Sequence, residues 1–124
     1  MDRIKDCIRR RGENISSFEV EQVLNGHPAV AEAAVVGIKV AGAGGEDEVK
    51  AYVVPAAGSA VDPVELLDWC TPRMPHFAVP RFLEIVTGEL PKTPTGKLQK
   101  TLLREAGVTA DTWDREAVGY VVRR

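Results

Sequence analysis

The runs "VAEAAVVGIKV" (30–40) and "EVKAYVVPA" (48–56) are crowded with valine and separated only by the loose, polar "AGAGGED". Branching at Cβ restricts χ1 against the preceding helical turn and suits a pleated surface, so the two runs predict adjacent strands of one sheet. A chain with such a pair must cover it. With 124 residues, 44% of them hydrophobic, there is material for one packed core and too little for two.

The flanking segments supply the cover. "IKDCIRRRGENIS" (4–16) sets basic and apolar residues on either side of Gly12 and predicts a short hairpin turning near "RRGEN". A helix follows, with Ser16 or Ser17 as N-cap, Glu19 in its first turn, and Phe18, Val20, Val23 and Leu24 at roughly helical spacing before "NGHP" stops it. "VDPVELLDWCTPRM" (61–74) predicts a helix capped by Asp62 with Pro63 in the first turn, turning Val64, Leu67 and Trp69 or Cys70 inward. "RFLEIV" (81–86) predicts a further strand and "LQKTLLREAG" (98–107) a short helix closed by Gly107. The tail to Arg124 has no clear period. The expected fold is a small α+β domain over residues 1–124: an N-terminal β-hairpin and a roughly three-stranded central sheet packed with about three helices.

Several function classes fall away. The formal charge of −2 argues against a nucleic-acid binder, which needs a strongly basic face to neutralise phosphates. Cys7 and Cys70 lie far apart without metal-ligand spacing, so no metal site or disulfide framework is expected, and a reducing, cytoplasmic setting is. The apolar runs are too short for a transmembrane segment, and "MDRIKD" lacks a signal-peptide core. "GAGG" (42–45) reads as a flexible turn, and His27 and His76 carry no role.

One loop stands apart: "ELPKTPTGKLQK" (89–100). It is not a Walker phosphate loop, because Pro91 occupies the first glycine position and Leu98 follows Lys97. Pro91 and Pro94 fix φ, and Gly96 permits a positive φ beside Lys97. Such a mount suits a lysine delivered to a target, a compact charge able to neutralise carboxylate and phosphate oxygens. From the loop alone, a solvated lysine at a helix start is still the favoured reading.

Three blocks in this order, "DRIKDCIRRRGENISSFEVEQVLNGHPAVAEAAVVG", "GEDEVKAYVV" and "PKTPTGKLQK", resemble the carboxy-terminal domain of the adenylate-forming acyl-CoA synthetase superfamily. "GENIS" and "GIK" resemble its fatty-acid and crotonobetaine/carnitine CoA ligase branch. The resemblance implies a two-step ligase: ATP and a carboxylic acid give an acyl-adenylate and pyrophosphate, and coenzyme A then displaces AMP. ATP, with its Mg, would be held mainly by a large amino-terminal domain that nothing in this chain matches. The isolated chain is therefore expected to be inactive, either as the mobile part of such a ligase or, alternatively, as a free-standing binding or regulatory module of the same fold.

Residue by residue, the resemblance implies that Lys97 is the adenylation lysine, that Arg3 lies near the nucleotide, and that Lys5 is the hinge of a rotation between the two steps. After rotation, Gly12 and Glu13 of the hairpin would face coenzyme A. Phe77 and Arg81 of "HFAVPRF" would lie on the same side, with Val79 where relatives often carry a second basic residue. The implied partners are the ligase's own amino-terminal domain, the acid, ATP and coenzyme A, together with a lysine acetyltransferase acting on Lys97.

Overall fold

The computed structural model describes residues 7–10, 13–39 and 47–120. Strands β1 (Cys7–Arg10) and β2 (Glu13–Ser16) form an antiparallel hairpin in the register Cys7 to Ser16. Helix α1 (Ser17–Asn25) follows directly, and of the two candidate caps it is Ser16 whose Oγ accepts from the Glu19 amide at 3.3 Å.

The main sheet has the order β3-β4-β5-β6. Strands β3 (Val30–Lys39) and β4 (Asp47–Pro55) are the two valine-rich runs, paired antiparallel with a register irregularity between Val30 and Glu32. β5 (Phe82–Ile85) lies parallel to β4, which requires a crossover. Helix α2 (Pro63–Cys70) and two single 3₁₀ turns, Thr71–Arg73 and His76–Ala78, provide it. After helix α3 (Lys100–Ala106), β6 (Thr112–Asp114) returns antiparallel to β5. The sheet thus has four strands rather than roughly three, and the added one comes from the tail that showed no period.

Both faces of this sheet are covered, which explains why its strands read as apolar runs and not as alternating ones. Val35, Val49, Ala51, Val53 and Leu83 point to one side, where they meet Val20 and Leu24 of α1, Leu66, Leu67 and Cys70 of α2, and Ile8 and Ile15 of the hairpin. Ala34, Val36, Ile38, Tyr52 and Phe82 point to the other, against Leu90 and Leu103. Successive residues of β4 therefore serve opposite cores, as the two-residue period of a strand demands.

Two inward placements differ from expectation. In α2 the buried stripe is Leu66, Leu67 and Cys70, while Val64 is 40% exposed. Val64 and Trp69 lie on opposite flanks of that stripe; Trp69 still packs at its edge and donates Nε1–H to the Val23 carbonyl at 3.2 Å. Phe18 of α1 also turns outward. The Cys70 thiol is fully buried, which pushes its pKa up to about 12 and leaves it an inert apolar group.

Candidate functional site

The loop that carries Lys97 is a miniature antiparallel hairpin. Lys92 and Leu98 form a β-bridge, the Gln99 amide donates to the Pro91 carbonyl at 2.9 Å, and the Thr93 amide donates to the Lys97 carbonyl at 2.8 Å. At the tip, the Gly96 amide donates to the Thr93 carbonyl at 2.8 Å, closing a turn with Pro94 second and Gly96 fourth, positions those residues favour. Gly96 adopts φ +88°, a region costly for a residue with a side chain. The Thr93 hydroxyl accepts from the Lys97 amide at 3.0 Å. Lys97 is exposed, and its backbone is held on both sides of the peptide unit.

Two further lysines of the same stretch are tied to other elements. Lys92 Nζ lies 3.1 Å from both carboxylate oxygens of Glu32 on β3. Lys100 Nζ lies 2.6 Å from Glu21 Oε2 on α1 and donates to Ser17 Oγ at 3.3 Å. The same Glu21 oxygen accepts from the Val35 amide of β3 at 2.8 Å.

The second group of expected residues lies partly outside the described residues. Arg3, Lys5 and Gly12 fall there; Glu13 opens β2, where only its backbone is described. Phe77 is half-buried in a 3₁₀ turn and lines a groove of about 160 Å³ that also includes Asn14, Ile15 and Ser16 of β2 and Arg73. The fold thus brings the hairpin and Phe77 to one surface. Arg73, which the sequence did not single out, stacks its guanidinium 3.6 Å from the Trp69 ring and donates to the Trp69 carbonyl at 2.8 Å. A larger groove of about 470 Å³ between β1, β3 and α3 is lined, among the described residues, by none of the expected ones.

Arg81 is differently placed. Its Nε and Nη2 each reach an Asp114 carboxylate oxygen at 3.1 Å, with Glu116 at 3.5 Å and Glu48 at 3.7 Å completing an acidic surround. The bonds to Asp114 raise the arginine's pKa further. Burial alone would raise the Asp114 pKa, but the Arg81 bond, the Glu116 and Ala117 amides and the Arg81 charge together hold it below the ordinary value. Arg81 fastens β5 to β6, and Val79 beside it is buried in the core.

A second such fastening was not legible from the sequence. Lys50, with no exposed side-chain surface, bonds Glu84 Oε1 at 2.8 Å, the Gly107 carbonyl at 2.6 Å and Thr112 Oγ1 at 3.0 Å, over the Tyr52 ring at 4.3 Å. Burial acts to raise the Glu84 pKa, and hydrogen bonds from Lys50, Thr109 and Thr112 with the Lys50 charge outweigh it, holding the carboxyl below its ordinary value.

Residues 19–97 match the AMP-binding enzyme C-terminal domain family. The chain belongs to it. Among curated members, it is 44% identical over 106 residues to a probable CoA ligase of Humulus lupulus and 43% identical over 103 residues to a mitochondrial medium-chain acyl-CoA ligase of Danio rerio. These alignments cover 84% and 83% of this chain but only 18% and 16% of the relatives, so the chain spans less than a fifth of their length. Among solved structures, an acyl-CoA synthetase of Brucella canis is 41% identical with a TM-score of 0.74, over 82% of this chain and 19% of that one. An amide bond synthetase of Marinactinospora thermotolerans is 38% identical with a TM-score of 0.75, over 85% of this chain and 21% of that one. Within the AMP-binding enzyme C-terminal domain family, the family match ends on Lys97 itself.

Proposed function

We propose that this domain is the mobile carboxy-terminal part of an ATP-dependent acid–CoA ligase that forms an acyl-adenylate and then transfers the acyl group to coenzyme A. The observation that carries the reading is the exposed Lys97 on a turn whose backbone is braced by hydrogen bonds at Thr93, Gly96, Lys97 and Gln99. A positioned lysine loses little freedom when it reaches across to a second domain. There its three N–H donors would neutralise charge on the acid's carboxylate and on the α-phosphate as the nucleotidyl group transfers.

ATP, with its Mg, would be held mainly by the large amino-terminal domain, with Arg3 near the nucleotide. In the second step the domain would turn about Lys5, withdraw Lys97 and present Gly12, Glu13 and Phe77 to coenzyme A. The shared groove of β2 and Phe77 supports that grouping. Arg81, bound by three carboxylates, supports it indirectly by holding the segment that follows Phe77. Acylation of Lys97 by a lysine acetyltransferase would remove the charge and act as an off-switch. No helix among the described residues is long and apolar enough to cross a membrane. From the reducing setting expected of its two widely spaced cysteines, we place the domain in the cytoplasm.

In the ligase carrying this domain, Lys97→Ala is expected to slow ATP–pyrophosphate exchange about 10²- to 10³-fold, the usual loss for one group serving developing charge. Transfer from a preformed acyl-adenylate to coenzyme A should stay within twofold of the parent's rate. Equal losses in both half-reactions would remove Lys97 from its role.

A further inference from the structure

Three lysines occupy the stretch 89–100, and two of them are neutralised across the fold. Lys92 stands five residues before Lys97 and is held by Glu32 of β3; Lys100 stands three residues after it and is held by Glu21 of α1. We propose that these two ion pairs form a bracket that sets the direction in which Lys97 leaves the domain, making Lys92, Glu32, Lys100 and Glu21 positioning residues for the step assigned to Lys97. The proposal rests on the reading of Lys97 given above.

The hairpin's own hydrogen bonds fix its internal shape but leave its tilt against the sheet open, because the bonds at its tip join only residues within 91–99. Contacts to residues outside that range must set the tilt. Leu90 and Leu98 pack in the second core just outside and inside its legs, but apolar contacts are non-directional. The ion pairs are directional: Lys92 ties the first leg to β3, and Lys100, the first residue of α3 directly after the second leg, ties that end to α1. Lys92 pairs with both oxygens of Glu32, a contact spanning 60 positions of sequence. Glu21 is itself fastened to the β3 backbone through the Val35 amide, so the second anchor reaches the same strand as the first. Both legs are therefore referred to β3, the longest strand of the sheet.

The two anchors also keep the neighbouring charges from competing. A substrate phosphate drawn to this surface meets Lys92 and Lys100 already paired with carboxylates, whereas Lys97 has no side-chain partner among the described residues. The arrangement makes one of three nearby ammonium groups the reactive one.

The test uses the more exposed pair, Lys92 and Glu32, because Glu21 also holds a backbone amide and its loss would disturb packing. In the intact ligase, Lys92→Gln and Glu32→Gln should each slow ATP–pyrophosphate exchange about fivefold, in keeping with one partly exposed ion pair. The double variant should be no slower than either single one. The reversal Lys92→Glu with Glu32→Lys should restore most of the rate, and transfer of preformed acyl-adenylate to coenzyme A should change less than twofold in all of them. Lys92→Met, which keeps the apolar stem, should match Lys92→Gln. Multiplying losses in the double variant, equal losses in both half-reactions, or no slowing at all would each overturn the bracket. Should Lys97→Ala itself leave exchange intact, the reading of Lys97 fails. Should Lys97→Ala abolish exchange while the Lys92 and Glu32 variants do not slow it, the bracket alone fails.

Discussion

Lys50 and Lys97 are the same residue type in opposite circumstances. Lys50 is wholly buried on β4 and has an acid, a carbonyl, a hydroxyl and an aromatic face around its ammonium; Lys97 stands exposed on a turn whose backbone alone is fixed. In the first region the protein uses its hydrogen bonds to hold a side chain still. In the second it uses them to hold the main chain still and leaves the side chain exposed. The same contrast separates Arg81, surrounded by Asp114, Glu48 and Glu116, from the groove wall that carries Phe77. A charged residue that satisfies itself internally ties strands together, and one that does not is free to meet a ligand.

The comparison is broken most directly by exchanging roles. If Lys50 is an anchor, Lys50→Met should cost about 3 kcal/mol of stability by leaving the Glu84 carboxylate partly buried and unpaired. Lys97→Ala, in contrast, should leave stability within about 0.5 kcal/mol of the parent. Adding Glu84→Gln to Lys50→Met should recover part of the loss, since removing both charges is milder than removing one. Urea titration of the domain measures all of these, and a cost for Lys50→Met below about 1 kcal/mol would end the anchoring account.

A smaller effect separates backbone from side chain within the turn. Gly96→Ala introduces a Cβ that meets nothing within 4 Å, so its whole cost is the positive φ, about 1–2 kcal/mol. It should lower the melting temperature by a few degrees and slow adenylate formation, whereas Gly96→Asn, which tolerates that region better, should recover much of both. An unchanged rate with Gly96→Ala would mean that the turn's shape does not matter to Lys97.

The smallest effect is acid sensitivity. Glu84 and Asp114 both titrate below their ordinary values of 4.5 and 3.8, so the folded state binds these protons less readily than the unfolded chain. Their contribution is complete above those ordinary values and is lost as pH falls through the lower folded ones, so stability should decline progressively from about pH 5 downward. In Lys50→Met the Glu84 part of that decline should shrink, and an identical acid limb in parent and variant would contradict the assignment.

Much of this was legible from local pattern. The hairpin, the Ser16 and Asp62 caps, the paired strands and the braced turn at Lys97 all follow from residues within a few positions of one another. What escaped depends on distant partners. β6 is only Thr112–Asp114, too short for a period, and is recruited by Arg81 and Lys50 from other strands. Val64 was expected inward because it is apolar and properly spaced from Leu67, yet the helix phase is chosen by Leu66, Leu67 and Cys70 together. Lys50 reads in sequence as the polar break in a strand; only the tail folding over it reveals a buried charge. Lys92 and Lys100 likewise look like ordinary surface lysines until Glu32 and Glu21 come into view. Arg3, Lys5 and Gly12 lie outside the described residues and rest on the resemblance alone.

The Lys50 anchor bears on where this domain can be cut and transplanted between enzymes. The recognisable family block closes at residue 97, yet the partners of Lys50 at Gly107 and Thr112, and of Arg81 at Asp114, lie beyond it. A chimera joined where the family match ends would carry a buried ammonium with half of its partners supplied by a foreign tail. Grafting should therefore include the chain through at least Tyr120, whose hydroxyl returns to Asp68 of α2 at 2.6 Å. The span of the family model is shorter than the unit these contacts hold together.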